Sequence, residues 1–213
     1  RQATSQVLEM RQAEAEAIAR HVADYVEMGS ARAAAIAAMA GRVPDDPAAR
    51  RAFLEQSFPL YPDVAGLVWF DLSGRVLAAS GAPPLDAIPG PGVAGAVRRS
   101  PQTSLQFLQI PGEAEDRLLL ATPIIGLDGG LAGALVVLSA AEALGRRIER
   151  QESDVQLADG FGRILARRDL SPYRSLFGDL PAGWDRAVLR GEIPAGGRLA
   201  AFAPVPELGW IVA

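Results

Sequence analysis

The chain has 213 residues, 49% of them hydrophobic, with a formal net charge of −4 and a pI near 5.1. That is ample apolar material for one large or two small cores, and too weak a positive field to draw a nucleic acid, so no nucleic-acid partner is expected. Cysteine is absent and His21 is the single histidine, which excludes disulfides, thiolate nucleophiles and multi-histidine zinc sites; no metal and no cofactor are expected.

From Gln2 to about Met28 the chain is rich in Ala, Glu, Arg and Gln and has no Pro or Gly; Val7, Met10, Glu14, Ile18, His21, Tyr25 and Met28 recur at helical spacing. A long helix is predicted, with a thin apolar stripe suited to packing along a domain or against a copy of itself. Gly29 and Ser30 interrupt the pattern, and Ser30 is read as the N-cap of a second, Ala-rich helix over residues 31–41, ended by Gly41 and Pro44. A third helix follows Asp46, a natural N-cap with Pro47 at the first helical position, and turns Phe53, Leu54 and Phe58 inward.

Two β-rich runs come next, "VAGLVWFD" and "GRVLAAS", joined at Leu72-Ser73-Gly74. Asp71 can bond the turn backbone and Gly74 can take a positive φ, so the pair reads as a hairpin. Residues 81–95, rich in Pro and Gly, read as a loop crossing a sheet, with room for a short helix before Ser100. "TSLQFLQI", "RLLLATPII" and "GLAGALVVLS" supply three further strands. A short helical bridge is predicted over residues 140–151, after which the pattern restarts: "SDVQLAD", a turn, "GRILARR", a Pro-containing loop, a helical segment over residues 184–190, then "RLAAFAPV" and "GWIVA".

The restart copies the first half. Asp71-Leu-Ser-Gly-Arg-Val-Leu-Ala78 returns as Asp159-Gly-Phe-Gly-Arg-Ile-Leu-Ala166, and "LLLATPII" at Leu118–Ile125 returns as "LAAFAPVP" at Leu199–Pro206, each with a proline after Thr122 or Ala203. Matching segments in matching order point to a duplicated fold, since one Asp-x-x-Gly turn alone would be ordinary turn chemistry.

A long first helix, "YPDVAGLVWFDLSGRVLAAS", three more antiparallel strands and a reduced second copy closing in "FAPVPELGWIVA" resemble the double Cache sensor domains of bacterial membrane receptors. The resemblance implies an α+β fold in which a long N-terminal helix is followed by two PAS-like (Cache) modules with antiparallel sheets, the membrane-distal one larger. The expected parts are a helical spine at 1–42, a distal module at 43–145 and a smaller proximal module at 146–213. The chain, which starts at Arg1 and stops within an apolar strand, is expected to be a piece of a longer protein with flanking transmembrane helices. The resemblance further implies ligand sensing on the periplasmic or extracellular face of the bacterial inner membrane, by a receptor whose separate output is a histidine kinase or diguanylate cyclase rather than a chemotaxis transducer.

Six residues are candidates for a small-molecule site in the distal module: Trp69, Arg98, Arg99, Phe107, Gln109 and Thr122. Trp69 offers an aromatic wall, though core packing is the commoner role of such a residue. Phe107 and Gln109 share one strand face, whether that face meets a ligand or water. Arg98 and Arg99 are a carboxylate clamp or a solvated pair at a helix end, and Thr122 is a pocket hydroxyl. Amino-acid-binding members of the family carry an Arg and aromatic residues before the third strand; "VRRSPQTSLQFLQI" has the arginines without Trp or Tyr, so those roles are not carried over. Asp71 and Asp159 are read as turn residues, His21 as a seam residue on the helix and Trp210 as an anchor of the proximal sheet. A weak homodimer through the first helix is expected. No nucleophile elbow, metal cluster or phosphate loop is present, so the domain itself is not expected to be an enzyme. The alternative is an intracellular PAS- or GAF-like dimerisation module without ligand.

Overall fold

The coordinates are a computed structural model; the residues described are 2–108, 110–111, 117–140, 143, 145, 155–158, 164–167, 193–195 and 198–212. The architecture is α+β: a long N-terminal helix and antiparallel sheets. The chain divides into two compact units, one of residues 27–143 and one of residues 1–26 with 144–213.

The first helix, α1, runs unbroken over Gln2–Ala40, which corrects the expected break at Gly29-Ser30. A glycine costs a helix only about 1 kcal/mol, and here the missing side chain is used: a Cβ at Gly29 would lie 3.2 Å from Leu120 Cδ1. Gly29 is a notch for a sheet side chain, and Ser30 is an interior helix residue without a capping role. The buried stripe also differs from the expected one. Leu8, Ala15, Ile18, Ala19, Val22, Val26, Ala33, Ile36, Ala37 and Ala40 are buried, whereas Val7, Met10, His21 and Met28 are exposed. Alanine lets a helix approach its neighbour closely, so the packed side of α1 is marked by small residues that a search for large apolar ones passes over.

The second helix, α2, spans Pro47–Ser57. Asp46 caps it as expected, accepting the Ala49 amide at 2.7 Å, and Leu54 is fully buried. A 3₁₀ turn over Phe58–Leu60 then leads into the sheet, so two α-helices precede the first strand where three were expected.

Unit 27–143 holds a five-stranded sheet of β1 (Val64–Phe70), β2 (Val76–Gly81), β3 (Ser104–Leu108), β4 (Arg117–Ile125) and β5 (Leu131–Ser139), in the order β2-β1-β5-β4-β3. Every neighbouring pair is antiparallel. Between β2 and β3, which are the two edge strands, the chain must cross the whole sheet. It does so as a strap that carries α3 (Gly90–Arg99). Strap and sheet share an aliphatic core of Val68, Phe70, Ile88, Val93, Val97, Leu108, Leu119, Ala121, Ala134, Val136 and Leu138. The opposite side of the sheet meets α1 through Leu120 and α2 through Trp69.

Contact between α1 and β4 recurs at Gly41, where a Cβ would run into the Ile125 carbonyl oxygen. From Gly29 to Gly41 the helix advances about 18 Å, and from Leu120 to Ile125 the strand advances about 17 Å, so helix and strand run side by side in one direction.

The second unit repeats this plan in shortened form with β6 (Gln156–Ala158), β7 (Ile164–Arg167), β8 (Ile193–Ala195), β9 (Arg198–Ala200), β10 (Ala203–Val205) and β11 (Trp210–Val212). Its sheet order is β10-β11-β6-β7, with β8 and β9 as a separate pair. Val68 and Gln156 therefore lie in different sheets. The repeat extends to register. Across the first sheet Pro123, Ala134, Phe70 and Val76 form one rank, and across the second Pro204, Ile211, Ala158 and Ile164 do. A bulge falls beside this rank in both hairpins, between Trp69 and Phe70 and between Leu157 and Ala158.

One difference corrects the expected continuous strand "RLAAFAPV". It is broken into β9 and β10 at Ala201-Phe202, where the Phe202 carbonyl is turned to α1 and accepts Gln12 Nε2 at 3.1 Å. The expected helical bridge over 140–151 lies, but for Ala140, Ala143 and Gly145, outside the described residues, as do the helical segment over 184–190 and Asp159.

The close approach at Gly41 gives a direct test. Gly41→Ala is expected to lower stability by about 1–3 kcal/mol, because neither a backbone carbonyl nor a helix end can retreat cheaply. A urea titration would show this as a lower midpoint at unchanged slope, and an unchanged midpoint would contradict the packing described.

Candidate functional site

Period-two alternation divides the five-stranded sheet between two environments. Thr122, Leu135, Trp69 and Ala78 form one rank across β4, β5, β1 and β2, all on the helix side. Trp69 is 4% exposed. Its ring meets Phe53 of α2 edge-on at 6.4 Å, and the Arg50 guanidinium lies 5.6 Å from its centroid. Gly133 makes room for the indole, since a Cβ there would be 3.2 Å from Trp69 Nε1. Arg50 is itself paired with Asp45. Thr122 is buried, with its hydroxyl 2.9 Å from that of Thr103. Phe107 pairs with Leu118 and so belongs to this side as well.

Arg98 and Arg99 lie across the sheet from these three. They are exposed in the last turn of α3, on the strap side, where positive charge suits a helix C-terminus. Arg98 donates to the Leu72 carbonyl oxygen. The structure thus gathers Trp69, Phe107 and Thr122 on one side and Arg98 and Arg99 on the other, with the sheet between. Gln109 lies outside the described residues.

The strap side presents a different set. Its wall is the aliphatic core, and at the β3 end Ser104, Gln106 and Arg117 share its side by register with Ala121, Leu119 and Leu108. All three are half-buried, and Ser104 Oγ bonds the Ala121 carbonyl at 3.4 Å. This arrangement can hold a small molecule by apolar contact along the sheet and orient it by polar groups at one end. Of these three, Gln106 adjoins the sequence candidate Phe107, and Ser104 and Arg117 adjoin none. β4 is apolar at both parities, so no alternation in it marks this side.

Among the described residues no group of three or more His, Asp or Glu side chains could hold a metal, and no helix is long and apolar enough to cross a membrane. No protein-family model matches the chain, and no curated protein matches it by sequence. Solved structures do match over nearly its whole length. The ligand-binding domain of the Campylobacter jejuni chemoreceptor Tlp3, solved with 4-methylisoleucine, superposes with a TM-score of 0.72 at 13% identity, covering 98% of this chain and 89% of that one. The domain of the Pseudomonas fluorescens chemoreceptor CtaA, solved with L-valine, gives 0.70 at 16% identity over 98% and 96%. That of the Pseudomonas aeruginosa amino-acid chemoreceptor PctC, solved with GABA, gives 0.69 at 17% identity over 94% and 95%. The fold is that of the double Cache sensor domains.

Within this double Cache fold, the repeated Asp-x-x-Gly-Arg motif has a visible task in its first copy. Asp71 accepts the Ser73 amide at 2.8 Å, the Ser73 hydroxyl at 2.6 Å and the Arg75 amide at 2.9 Å, while its own amide donates to the Arg75 carbonyl at 2.9 Å. Gly74 takes φ +88° and packs backbone to backbone against Gly90 at the start of α3, so neither position has room for a Cβ. The motif shapes a turn on which the cover helix rests. Trp210, 5% exposed, lies in β11 and pairs with Val205. His21 is exposed on α1.

The Ser73 hydroxyl, then the Arg75 and Ser73 amides and the Arg75 side chain, hold the Asp71 carboxyl down from 3.8 to about 2, against a smaller opposing effect of burial. A depressed acid stabilises the fold fully above its unfolded value and loses that contribution as pH falls toward its folded value. The advantage of Asp71 over Asp71→Asn is therefore expected to be constant above about pH 5 and to shrink between about pH 4 and pH 2. Urea midpoints of both proteins across that range check this, and a gap that stays constant to about pH 2 would contradict it.

Proposed function

We propose that the chain is the extracytoplasmic ligand-sensing domain of a transmembrane signalling receptor, and that a small molecule is seated on the strap side of the five-stranded sheet. The observation that carries this reading is the match of 94–98% of the chain to ligand-binding domains of bacterial receptors. The strap side is chosen because it joins an apolar wall to the half-buried polar groups of Ser104, Gln106 and Arg117 and is covered by one short helix, whereas the helix side is packed by Trp69, Phe53, Leu120 and the long α1.

The relatives named above were solved with amino acids or GABA, yet Arg98 here turns to the Leu72 carbonyl and no Trp or Tyr stands between Arg98 and Leu108. We therefore propose a ligand other than an α-amino acid. A periplasmic location, an output through a histidine kinase or diguanylate cyclase, and the absence of an activity in the domain itself belong to the same proposal. The sensor fold supports the location, and the lack of a nucleophile elbow or phosphate loop in the sequence supports the absence of an activity; the output rests on the sequence resemblance alone, the similar structures coming from chemoreceptors.

A thermal-shift screen of carboxylates, amines, nucleobases, L-valine and GABA tests the reading. A site-specific ligand at a hundredfold excess over its Kd stabilises by about 2.7 kcal/mol, or about 5–10 °C for a chain of this size. Gln106→Ala and Arg117→Ala are expected to abolish that shift, and Phe107→Leu to leave it intact. A ligand whose shift depends on Phe107 and not on Gln106 would move the site to the other side of the sheet.

The exposed apolar residues of α1, Val7 at 41%, Met10 at 57% and Met28 at 46%, support a weak homodimer through this helix. Sedimentation at rising concentration is expected to show dimer formation that Met10→Glu removes; a strict monomer at millimolar concentration would end this part of the proposal.

A further inference from the structure

The strap between β2 and β3 differs from every other cover of the five-stranded sheet in how it is held. It crosses from one edge strand to the other, and its only α-helix is α3, with the sequence GPGVAGAVRR. A ten-residue helix with three glycines and a proline has little stability of its own. Its N-cap, Pro89, makes no side-chain capping bond and no acidic residue stands in its first turn. Tertiary contacts alone keep it in place.

Those contacts bury Gly90, Val93, Ala94, Ala96 and Val97, and they are separable. Ile88, Val93 and Val97 enter the aliphatic core. Gly90 lies against Gly74 at one end of the helix, and from the other end Arg98 reaches the Leu72 carbonyl, so both fastenings are to the same hairpin turn. The strap leaves β2 at Gly81, which has φ +80°, and returns to β3 through Ser100-Pro101. By contrast β4 and β5, beneath it, are buried almost throughout and bonded on both sides within the sheet.

From this geometry we infer that α3 is a lid latched to the Asp71–Arg75 turn, and that it opens as a unit while the sheet stays folded. Val93 and Val97 fill the strap side in the closed state, so a molecule can reach the seat only when α3 lifts. The purpose of the lid rests on the sensing reading above; the opening itself does not. Arg98 is the latch residue. Gly92 tunes the lid, because a Cβ there meets only Pro89 at ordinary contact distance, 3.6 Å, and would strengthen the helix without a clash.

Native-state hydrogen exchange on the chain as it stands tests this. The amides of Val93–Arg99 are expected to exchange at least tenfold faster than those of Leu135–Leu138, with little dependence on denaturant at low concentration. Arg98→Ala is expected to speed exchange in α3 severalfold and Gly92→Ala to slow it severalfold, both leaving β5 unchanged. Equal rates in α3 and β5, or variants that shift both alike, would show a single cooperative unit and overturn the lid. The same experiment repeated with the strongest compound from the thermal-shift screen separates the two proposals. Added protection at α3 supports the lid as a gate, and a bound compound that leaves α3 exchange unchanged refutes it. A screen without any hit would count against sensing and leave the exchange result for α3 standing.

Discussion

The constraint on which the rest of the structure depends is that the central strands of the larger sheet are buried on both faces. β1, β4 and β5 are apolar almost without interruption, so neither face can meet water and each requires its own cover. One cover is α1 and α2, seated by glycines at Gly29, Gly41 and Gly133 that let helix and indole approach the sheet. The other is thin, a strap with one weak helix. That asymmetry decides which face can exchange its contents, and it follows from helix propensity and burial without any reference to ligand.

Duplication gives the hairpin turn its significance. The rank that joins Pro123, Ala134, Phe70 and Val76 recurs as Pro204, Ile211, Ala158 and Ile164, and the bulge recurs beside it. A bulge inserts a residue and increases local twist, so it sets the direction in which the turn projects. In the first copy that direction brings Gly74 to Gly90 and Leu72 within reach of Arg98. The second copy departs where Phe202 turns its carbonyl to Gln12 and splits the counterpart of β4 in two. Both copies are thus tied to α1 at the equivalent strand, one by a glycine notch and one by a hydrogen bond.

The sensor fold and the lid bear on one another through a simple energetic requirement. A ligand shifts a conformational equilibrium only as far as it binds one arrangement better than the other. A lid that opens ahead of the sheet supplies two arrangements of one module at small energetic separation, and its latch lies on a turn whose acid, Asp71, is held ionised by the Ser73 hydroxyl and neighbouring amides. Any compound that bridges the sheet wall and α3 would favour the closed form.

Local chemistry was enough to read much of this protein from its sequence. The Asp46 cap, the Asp71 turn, the β-rich runs and the two-copy order depend on residues near one another in the chain, and the paired prolines after Thr122 and Ala203 located equivalent strands that the register then matched. The continuity of α1 was not legible, because the gain that overrides Gly29 comes from Leu120, distant in sequence. Nor was the side of each candidate residue. Trp69, Phe107 and Thr122 could be ranked by type, but a strand buried on both faces carries no polar alternation to show which parity meets the helices and which the strap. Only the packing of α3 onto Leu119, Ala121 and Val136 decided that, since parity in such a strand is a property of its covers, which lie elsewhere in the chain.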